Sequence, residues 1–430
     1  MQRKFDLFKF PFRAPVRIGL VLVLLVVGFG LGTRIGAAEE AAEATEPEKK
    51  PSLLDALKNG KLTLGLRYRY EDVSQERFEK DGRASTLRTN LAYRSGVWNL
   101  TSLFLEFEDI RDLGLGNDHN NKGAGSLWNG VIDRPVIADP PLTALNQAYL
   151  NLKTKGGFGI RAGQQEIVIS NQRYVGAVAW RQHHQSFAGA KMVYDGLARS
   201  VFTYSYIGRQ YTVVGGSKPM NTHLGDFKHD FEKLGTLRAY GVYIDYDRAA
   251  DSGFSSATLG ASLDGSPVIG DKLKLLYRAE LAQQKDAGSN INRVDAKYAR
   301  AELGLGFGNL SAKAGYELLG GSLEDGRFTT PLATLHAFNG WADIFLNTPV
   351  EGLQDFFLEF SGSVAGIKLG VIYHDFSADS GSMDYGSEFD LIAVYKAPWG
   401  EVFGIKAAFF DADDYGQDTD KIWFWTQISF

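Results

Sequence analysis

Lys421-Ile-Trp-Phe-Trp-Thr-Gln-Ile-Ser-Phe430, the last ten residues of the chain, decide the fold. Counting back in twos, Phe430, Ile428, Thr426, Phe424 and Ile422 form one apolar face. Ser429, Gln427 and Lys421 fall on the other, interrupted by Trp425 and Trp423. Alternation over this length is the period of a β-strand, not of a helix. A terminal aromatic strand with a bare edge is an aggregation hazard in a globular protein. A transmembrane barrel removes the hazard, because the last strand pairs with the first and Phe430 takes part in closure.

The same period recurs. Leu62, Leu64, Leu66, Tyr68 and Tyr70 oppose Lys61, Thr63, Gly65, Arg67, Arg69 and Glu71. Leu87, Leu91 and Tyr93 oppose Arg88, Asn90 and Arg94; Leu273, Leu275, Tyr277 and Leu281 oppose Lys274, Arg278 and Glu280. Ile367, Leu369, Val371 and Tyr373 oppose Lys368 and His374, and Phe403, Ile405, Ala407 and Phe409 oppose Lys406. A face carrying several arginines does not pack in a dry core without partners, but it lines a wet lumen.

Short turn signals alternate with long segments. Ser95-Gly96, Lys155-Gly156-Gly157, Asp195-Gly196, Gly306 to Asn309 and Pro398-Trp399-Gly400 are short; 110–142, 170–186 and 319–353 are long. Short periplasmic turns and long extracellular loops are the outer-membrane arrangement, and counting from both ends predicts about 18 strands. Between Tyr211 and Gly235 only a weak strand, around Thr222 to Phe231, keeps the count even. The expected fold is therefore all-β, an antiparallel transmembrane barrel over 61–430.

Composition agrees. A hydrophobic content of 44% looks soluble, yet only every second strand residue of a barrel faces lipid. With no cysteine, neither disulfides nor thiolate chemistry is available. The net charge is −5; residues 1–38 hold six Lys/Arg and one Asp, which leaves 40 basic against 50 acidic residues beyond them, and nothing suggests nucleic acid. Basic residues Arg3 to Arg17, the apolar run Ile18 to Leu31 and the small residues Gly36-Ala37-Ala38 predict a cleaved secretory signal peptide over 1–38. The run is short for a span of about 20 residues, which disfavours a retained anchor. An acidic periplasmic linker follows over 39–60, with one or two helical turns expected between Ser52 and Asn59.

The most particular sequence lies in the long segments. One constellation is Gly163-Gln164-Gln165, Asn171 to Gly176 (including Arg173), Trp180-Arg181-Gln182 and Phe187-Ala188-Gly189. Another runs from Thr330 to Asp343, through His336, Phe338, Asn339 and Trp341, followed by Thr348-Pro349 and Gly352 to Asp355. With Tyr373-His374-Asp375-Phe376 and Arg67-Tyr68-Arg69-Tyr70-Glu71, these resemble the alginate-export family of outer-membrane porins, over essentially the whole chain after residue 52. The resemblance implies a monomeric 18-stranded barrel whose arginine-rich constriction passes a polyanionic uronic-acid polymer. The chain departs at Phe187-Ala188-Gly189, where such proteins usually read Phe-Asp-Gly.

Strand parity independently sends Arg67, Arg69, Arg88, Arg94, Arg161, Arg278, Arg300 and Lys368 into the lumen, and Arg173 and Arg181 lie in the long loops; together they are the candidate anion-binding residues. Lys191, Arg209, Lys396 and Lys406 share that parity, as do Glu106, Glu108, Glu280, Glu302, Asp355, Glu359, Glu388 and Asp390. Arginine holds a carboxylate bidentately and rings of Arg or Lys select anions; the competing reading is that these charges pair across the lumen and brace the wall. Arg67, Arg69, Arg88 and Arg94 escape pairing best, since only Glu71 shares their wall positions on the first two strands. Trp180, His336, Phe338, Asn339, Trp341 and Asp343 are the candidate loop constriction, because the apolar content of 319–353 is too large to sit bare in water.

His183-His184 reads as a solvated polar pair rather than a metal site. The aspartates from Asp411 to Asp420 break the EF-hand spacing and read as a solvated hairpin. No cofactor is called for. The expected function is an outer-membrane channel for anionic solutes, its partners being an anionic sugar or other anionic solute, outer-membrane lipid and the assembly machinery. A barrel enzyme of lipase or protease type, or a general porin, is the alternative. Only seven histidines exist to supply a catalytic set, and His374 and Asp375 point to opposite faces of a strand.

Overall fold

The structure, a computed structural model, describes residues 52–114 and 118–430. The expected signal peptide over 1–38 and most of the linker lie outside the described residues. The described chain opens with a short helix, α1 (Leu53–Lys58), where helical turns were expected.

Twenty strands follow. The first nine are β1 (Lys61–Gln75), β2 (Gly82–Arg94), β3 (Thr101–Asp112), β4 (Leu142–Lys153), β5 (Phe158–Gln165), β6 (Ser186–Leu197), β7 (Ser200–Tyr211), β8 (Ser217–Phe231) and β9 (Gly235–Ile244). Next come β10 (Ser256–Gly265), β11 (Leu273–Asp286), β12 (Asp295–Phe307), β13 (Leu310–Leu319) and the two-residue pair β14 (Gly321–Ser322) and β15 (Gly326–Arg327). The last five are β16 (Leu353–Val364), β17 (Ile367–Ser377), β18 (Asp384–Lys396), β19 (Val402–Ala412) and β20 (Thr419–Ser429). Leaving aside the β14–β15 hairpin, they form one 18-stranded sheet in which each strand pairs antiparallel with its neighbours in sequence. The sheet closes on itself through β1 and β20, with Gly65 opposite Ser429 and Gln75 opposite Thr419. Phe430 completes the seam: its N–H donates to Leu64 O at 2.8 Å and its carbonyl accepts from Leu64 N at 3.2 Å.

Alternation places the side chains. On β20, Ile422 and Phe424 face outward, whereas Trp423 is fully buried in the interior and Trp425 nearly so. The two tryptophans that interrupt the polar face are thus part of a packed interior rather than a lipid-facing girdle. The weak strand near residue 222 is real and longer than expected, as β8. One turn lies elsewhere than predicted: β6 runs through Asp195-Gly196, and the chain reverses at 198–199, because a register shift between Tyr194 and Leu197 absorbs the glycine.

The rim that carries the termini has short connections. The opposite rim carries the three long ones, 113–141, 166–185 and 320–352. Their apolar residues decide where they go.

Candidate functional site: a waist built from loops

Phe328, Leu332, Ala342 and Phe345 from 320–352, with Ile167, Tyr174 and Val175 from 166–185, are buried in one cluster with inward residues of the wall. Burying such side chains is worth about 1.5–3 kcal/mol each, so these loops fold into the lumen instead of standing in water. Phe345 sits among Phe376, Tyr385, Phe410 and Tyr415, with ring centroids 4.6 to 5.9 Å away. Tyr174 packs on Tyr240, Tyr298 and Phe328.

The two loops are also joined to each other. Val175 and Leu332 form a parallel bridge, Gly176 N donates to Leu332 O at 2.9 Å, and Thr334 N donates to Gln172 O at 3.1 Å. At the tip of 320–352, Gly340 has a φ of +82° and lies so close to the Glu388 carboxylate that a side chain there would collide. That approach lets Ala342 N donate to Glu388 at 2.7 Å and Trp341 N to Asp390 at 3.2 Å. Two buried carboxyl groups of β18 are thereby sealed beneath the loop.

Most candidate cations are paired. Arg69 is held by Asp139 and by Glu71 at 3.2 Å. Arg181 reaches Glu71 and Asp343, each at 3.2 Å, and Lys421 reaches Asp343 at 3.0 Å. Arg88 lies 3.7 Å from Glu108, and Arg173 lies 2.9 Å from Glu317 and 3.0 Å from Asn339. Arg278 pairs with Glu280, and Arg300 with Glu302 and Glu317. The expectation that few acids would meet the arginines of β1 and β2 is therefore corrected. Arg69 and Arg88 are the two concerned: Asp139 comes from a loop and Glu108 from the next strand, and parity on two strands cannot register a carboxylate carried by a folded-in loop.

A second group makes no salt bridge among the described residues. Arg67 donates to Ala179 O at 3.1 Å and faces the Trp180 ring at 5.3 Å, and its buried Nε finds no acceptor. Lys406 lies 3.6 Å from the Trp341 ring centroid, 4.4 Å from Trp180 and 5.5 Å from Trp423, with only His336 Nε2 at 2.8 Å as a hydrogen-bond partner. Toward the rim of the termini, Arg94 covers Phe104 at 4.7 Å and Arg161 covers Tyr149 at 4.3 Å, and the two rings stack. Lys191 is opposite Arg161 in the sheet, Arg209 donates to the Ser217 hydroxyl, and Lys368 is exposed near the rim.

His336 Nδ1 lies 2.7 Å from Asp343. Burial, aided by Lys406, pushes the His336 imidazole down to about 3 against the pull of Asp343, so it is neutral: Nδ1–H donates to Asp343 and Nε2 accepts from Lys406. Burial works against the Asp343 charge, but His336, Lys421 and Arg181 hold its carboxyl well below the usual range. Phe338 lies under Arg173 and Arg300, with ring distances of 4.7 and 5.5 Å.

His183 and His184 are not the solvated pair expected. His183 Nδ1 lies 2.8 Å from Glu108 on β3, which pins the loop to the wall, and His184 Nδ1 lies 2.8 Å from Glu166 at the start of the same loop. Among the described residues no group of three or more His, Asp or Glu side chains is arranged to hold a metal ion. Above this waist, on the side of the long loops, is a vestibule of about 560 Å³ with Arg181, His336, Asp343 and Lys421 in its lining. Below it, a pocket of about 60 Å³ remains between Arg300, Phe338, Trp341 and His374. Sequence reasoning did not name Asp139, Lys421 or Trp423 as site residues; the shared inward parity of Lys421 and Trp423 on β20 was the available signal, and nothing local marked Asp139.

No protein-family model matches the chain. No curated protein matches it by sequence. Solved structures do match. Pseudomonas aeruginosa OpdK with vanillate is similar with a TM-score of 0.68 at 14% identity, over 87% of this chain and 99% of that one. Pseudomonas aeruginosa OccK5 (OpdH) gives 0.62 at 13%, with the same shares. Acinetobacter baumannii OccAB3 gives 0.65 at 11%, over 87% of this chain and all of that one. The fold is that of outer-membrane porins, a closed barrel of 18 antiparallel strands. The expected membership of the alginate-export family is corrected: the structural neighbours are Occ and Opd porins, a different family of barrels. The Asn171–Gly176 and Thr330–Asp343 stretches that carried the resemblance are loop segments folded into the lumen, a task that any plugged barrel sets. The uronic-acid polymer falls with the family.

Proposed function

We propose that the chain is an outer-membrane channel for small anionic solutes, exported by a cleaved leader over 1–38, with selectivity set by cations that line the lumen from the loop-built waist to the rim of the termini. The observation that carries this reading is the unequal fate of the lumen charges. Arg67, Arg94, Arg161, Lys191, Arg209 and Lys406 make no salt bridge among the described residues, whereas Glu388 and Asp390 are buried beneath the tip of 320–352. Cations left without counter-charges in a low-dielectric wall raise the local anion concentration even though the whole protein is acidic. Crystallisation of OpdK with vanillate, an anionic small molecule, is in keeping with this. A vestibule of about 560 Å³ fits a solute of that scale.

Reversal potential in a planar bilayer under a salt gradient tests the proposal. The wild-type channel is expected to prefer anions at low salt, and Arg94→Glu with Arg161→Glu to move the potential toward cations. Wild-type cation preference sinks the reading.

A further inference from the structure

Helix α1 is too short to persist alone, since isolated helices below about 12 residues are marginal in water. A capping box helps, with Asp55 N donating to Ser52 Oγ at 3.1 Å and Ser52 N to Asp55 at 2.9 Å. Docking does the rest. Gly96 N donates to Ala56 O at 2.8 Å, the Tyr93 hydroxyl donates to Leu57 O, and Gly60 lies against the Tyr93 ring. Tyr93 belongs to the outward face of β2, opposite Leu62 on β1 and Leu105 on β3. The helix is therefore seated on the outside of the wall, at the rim that carries the termini.

Its own composition is one-sided. At 3.6 residues per turn Leu53, Leu54 and Leu57 share an arc of about 100°, with Ala56 turned toward the barrel and Asp55 and Lys58 on the remaining side. The three leucines are exposed, as are Val97, Trp98 and Leu100 on the turn to which the helix is docked. Leu62, directly below on the lipid-facing wall, continues the same apolar surface. Six apolar residues gathered beside a short turn exceed the scattered exposure of an ordinary wet rim.

We propose that α1 and the 97–100 turn form an interfacial anchor seated in the periplasmic leaflet of the bilayer, with the leucines among acyl chains and Lys58 among headgroups. Continuity with the lipid-facing wall argues for lipid as the occupant. So does Trp98, a residue type that favours the level where hydrocarbon meets water. A one-sided helix with a charged flank lies in that plane rather than crossing it.

The proposal rests on the outer-membrane placement but not on anion selectivity. The chain has no cysteine, so single labels can be placed freely. Nitroxide labels at Leu54→Cys, Lys58→Cys and Leu281→Cys in proteoliposomes are compared for accessibility to oxygen, which partitions into lipid, and to a water-soluble nickel chelate. Leu281 is an exposed residue of the outer wall and reports whether the barrel is in lipid at all. The Leu54 label is expected to match the Leu281 label, open to oxygen and shielded from the chelate, and the Lys58 label to show the reverse. A Leu54 label open to the chelate while Leu281 is shielded overturns the anchor and leaves the barrel reading intact. Shielding from both probes also overturns it, in favour of a covering protein. Chelate access at Leu281 defeats the membrane placement itself.

Discussion

The imidazole of His336 lies flat on the indole of Trp180, with ring centroids 4.9 Å apart and planes 7° from parallel. One ring comes from 320–352 and the other from 166–185, so the stack ties the two loops together at the waist. Trp180 also meets Trp423 and Trp425 edge-on at 5.8 and 5.4 Å. Truncating a fully buried aromatic side chain to Ala costs about 3–5 kcal/mol, an upper bound for the half-buried Trp180. Trp180→Ala is therefore expected to loosen the waist and raise single-channel conductance, while the closed barrel keeps its heat-modifiable migration. Unchanged conductance would remove Trp180 from the constriction.

The same histidine predicts a pH dependence. Packed, its imidazole titrates at about 3; released into water it returns to about 6.5. A lowered value in the packed state means that protons bind the released loop first as pH falls. Through His336 alone, the packed waist is thus most favoured above about 6.5 and loses up to about 1.4 kcal/mol per pH unit from there toward 3. Asp343, held low in the packed state, stays ionised in either state until about pH 4 and is silent over most of that window. Channel openings recorded from pH 7 down to 5 are expected to become more frequent, and His336→Asn to flatten the profile. A flat wild-type profile counts against the packed, neutral imidazole.

Arg67 and Arg69 are two residues apart on β1 but differ in partners, and their substitutions are expected to diverge. Arg69→Met leaves Asp139 and Glu71 with Arg181 as their one remaining guanidinium, and breaking a buried pair outright costs about 3–5 kcal/mol, the upper bound here. Loosened loops and raised protease sensitivity are the expected result. Arg67→Met removes a cation that no carboxylate needs, so anion preference should fall with protease sensitivity unchanged. Identical phenotypes would mean that the distinction between paired and unpaired cations has no consequence.

Deleting Phe430 removes both hydrogen bonds to Leu64 and an outward aromatic at the seam. The folded, heat-modifiable fraction in the outer membrane is expected to drop, as it would if an insertion machinery docked this strand by edge pairing. Normal yield would place the assembly signal elsewhere.

The barrel was legible in the sequence because a two-residue period recurs in strand after strand, so that the weak one near β8 and a few register shifts do not hide it. β1 shows this best: each residue from Leu62 to Glu71 falls on the face that its parity predicts. The waist was less legible, because its contacts join residues far apart in the chain. Asp139 pairs with Arg69 and Asp343 with Arg181, and no periodicity links members of such pairs. His183 and His184 misled for the same reason: their acids, Glu108 and Glu166, lie on a strand and at a loop base distant in sequence from at least one of them. The alginate-export resemblance drew on these loop segments, where composition reflects packing inside a barrel more than descent.

The antiparallel seam between β1 and β20 also limits how such a chain can change in length over evolution. Both ends of the wall lie on one rim, so inserting or losing a lone strand would send the final segment out on the opposite side and force the first and last strands to pair in parallel. The antiparallel seam is kept only when growth or shrinkage proceeds by whole hairpins. Each such step alters circumference, and with it the room that two bridged loops have to span.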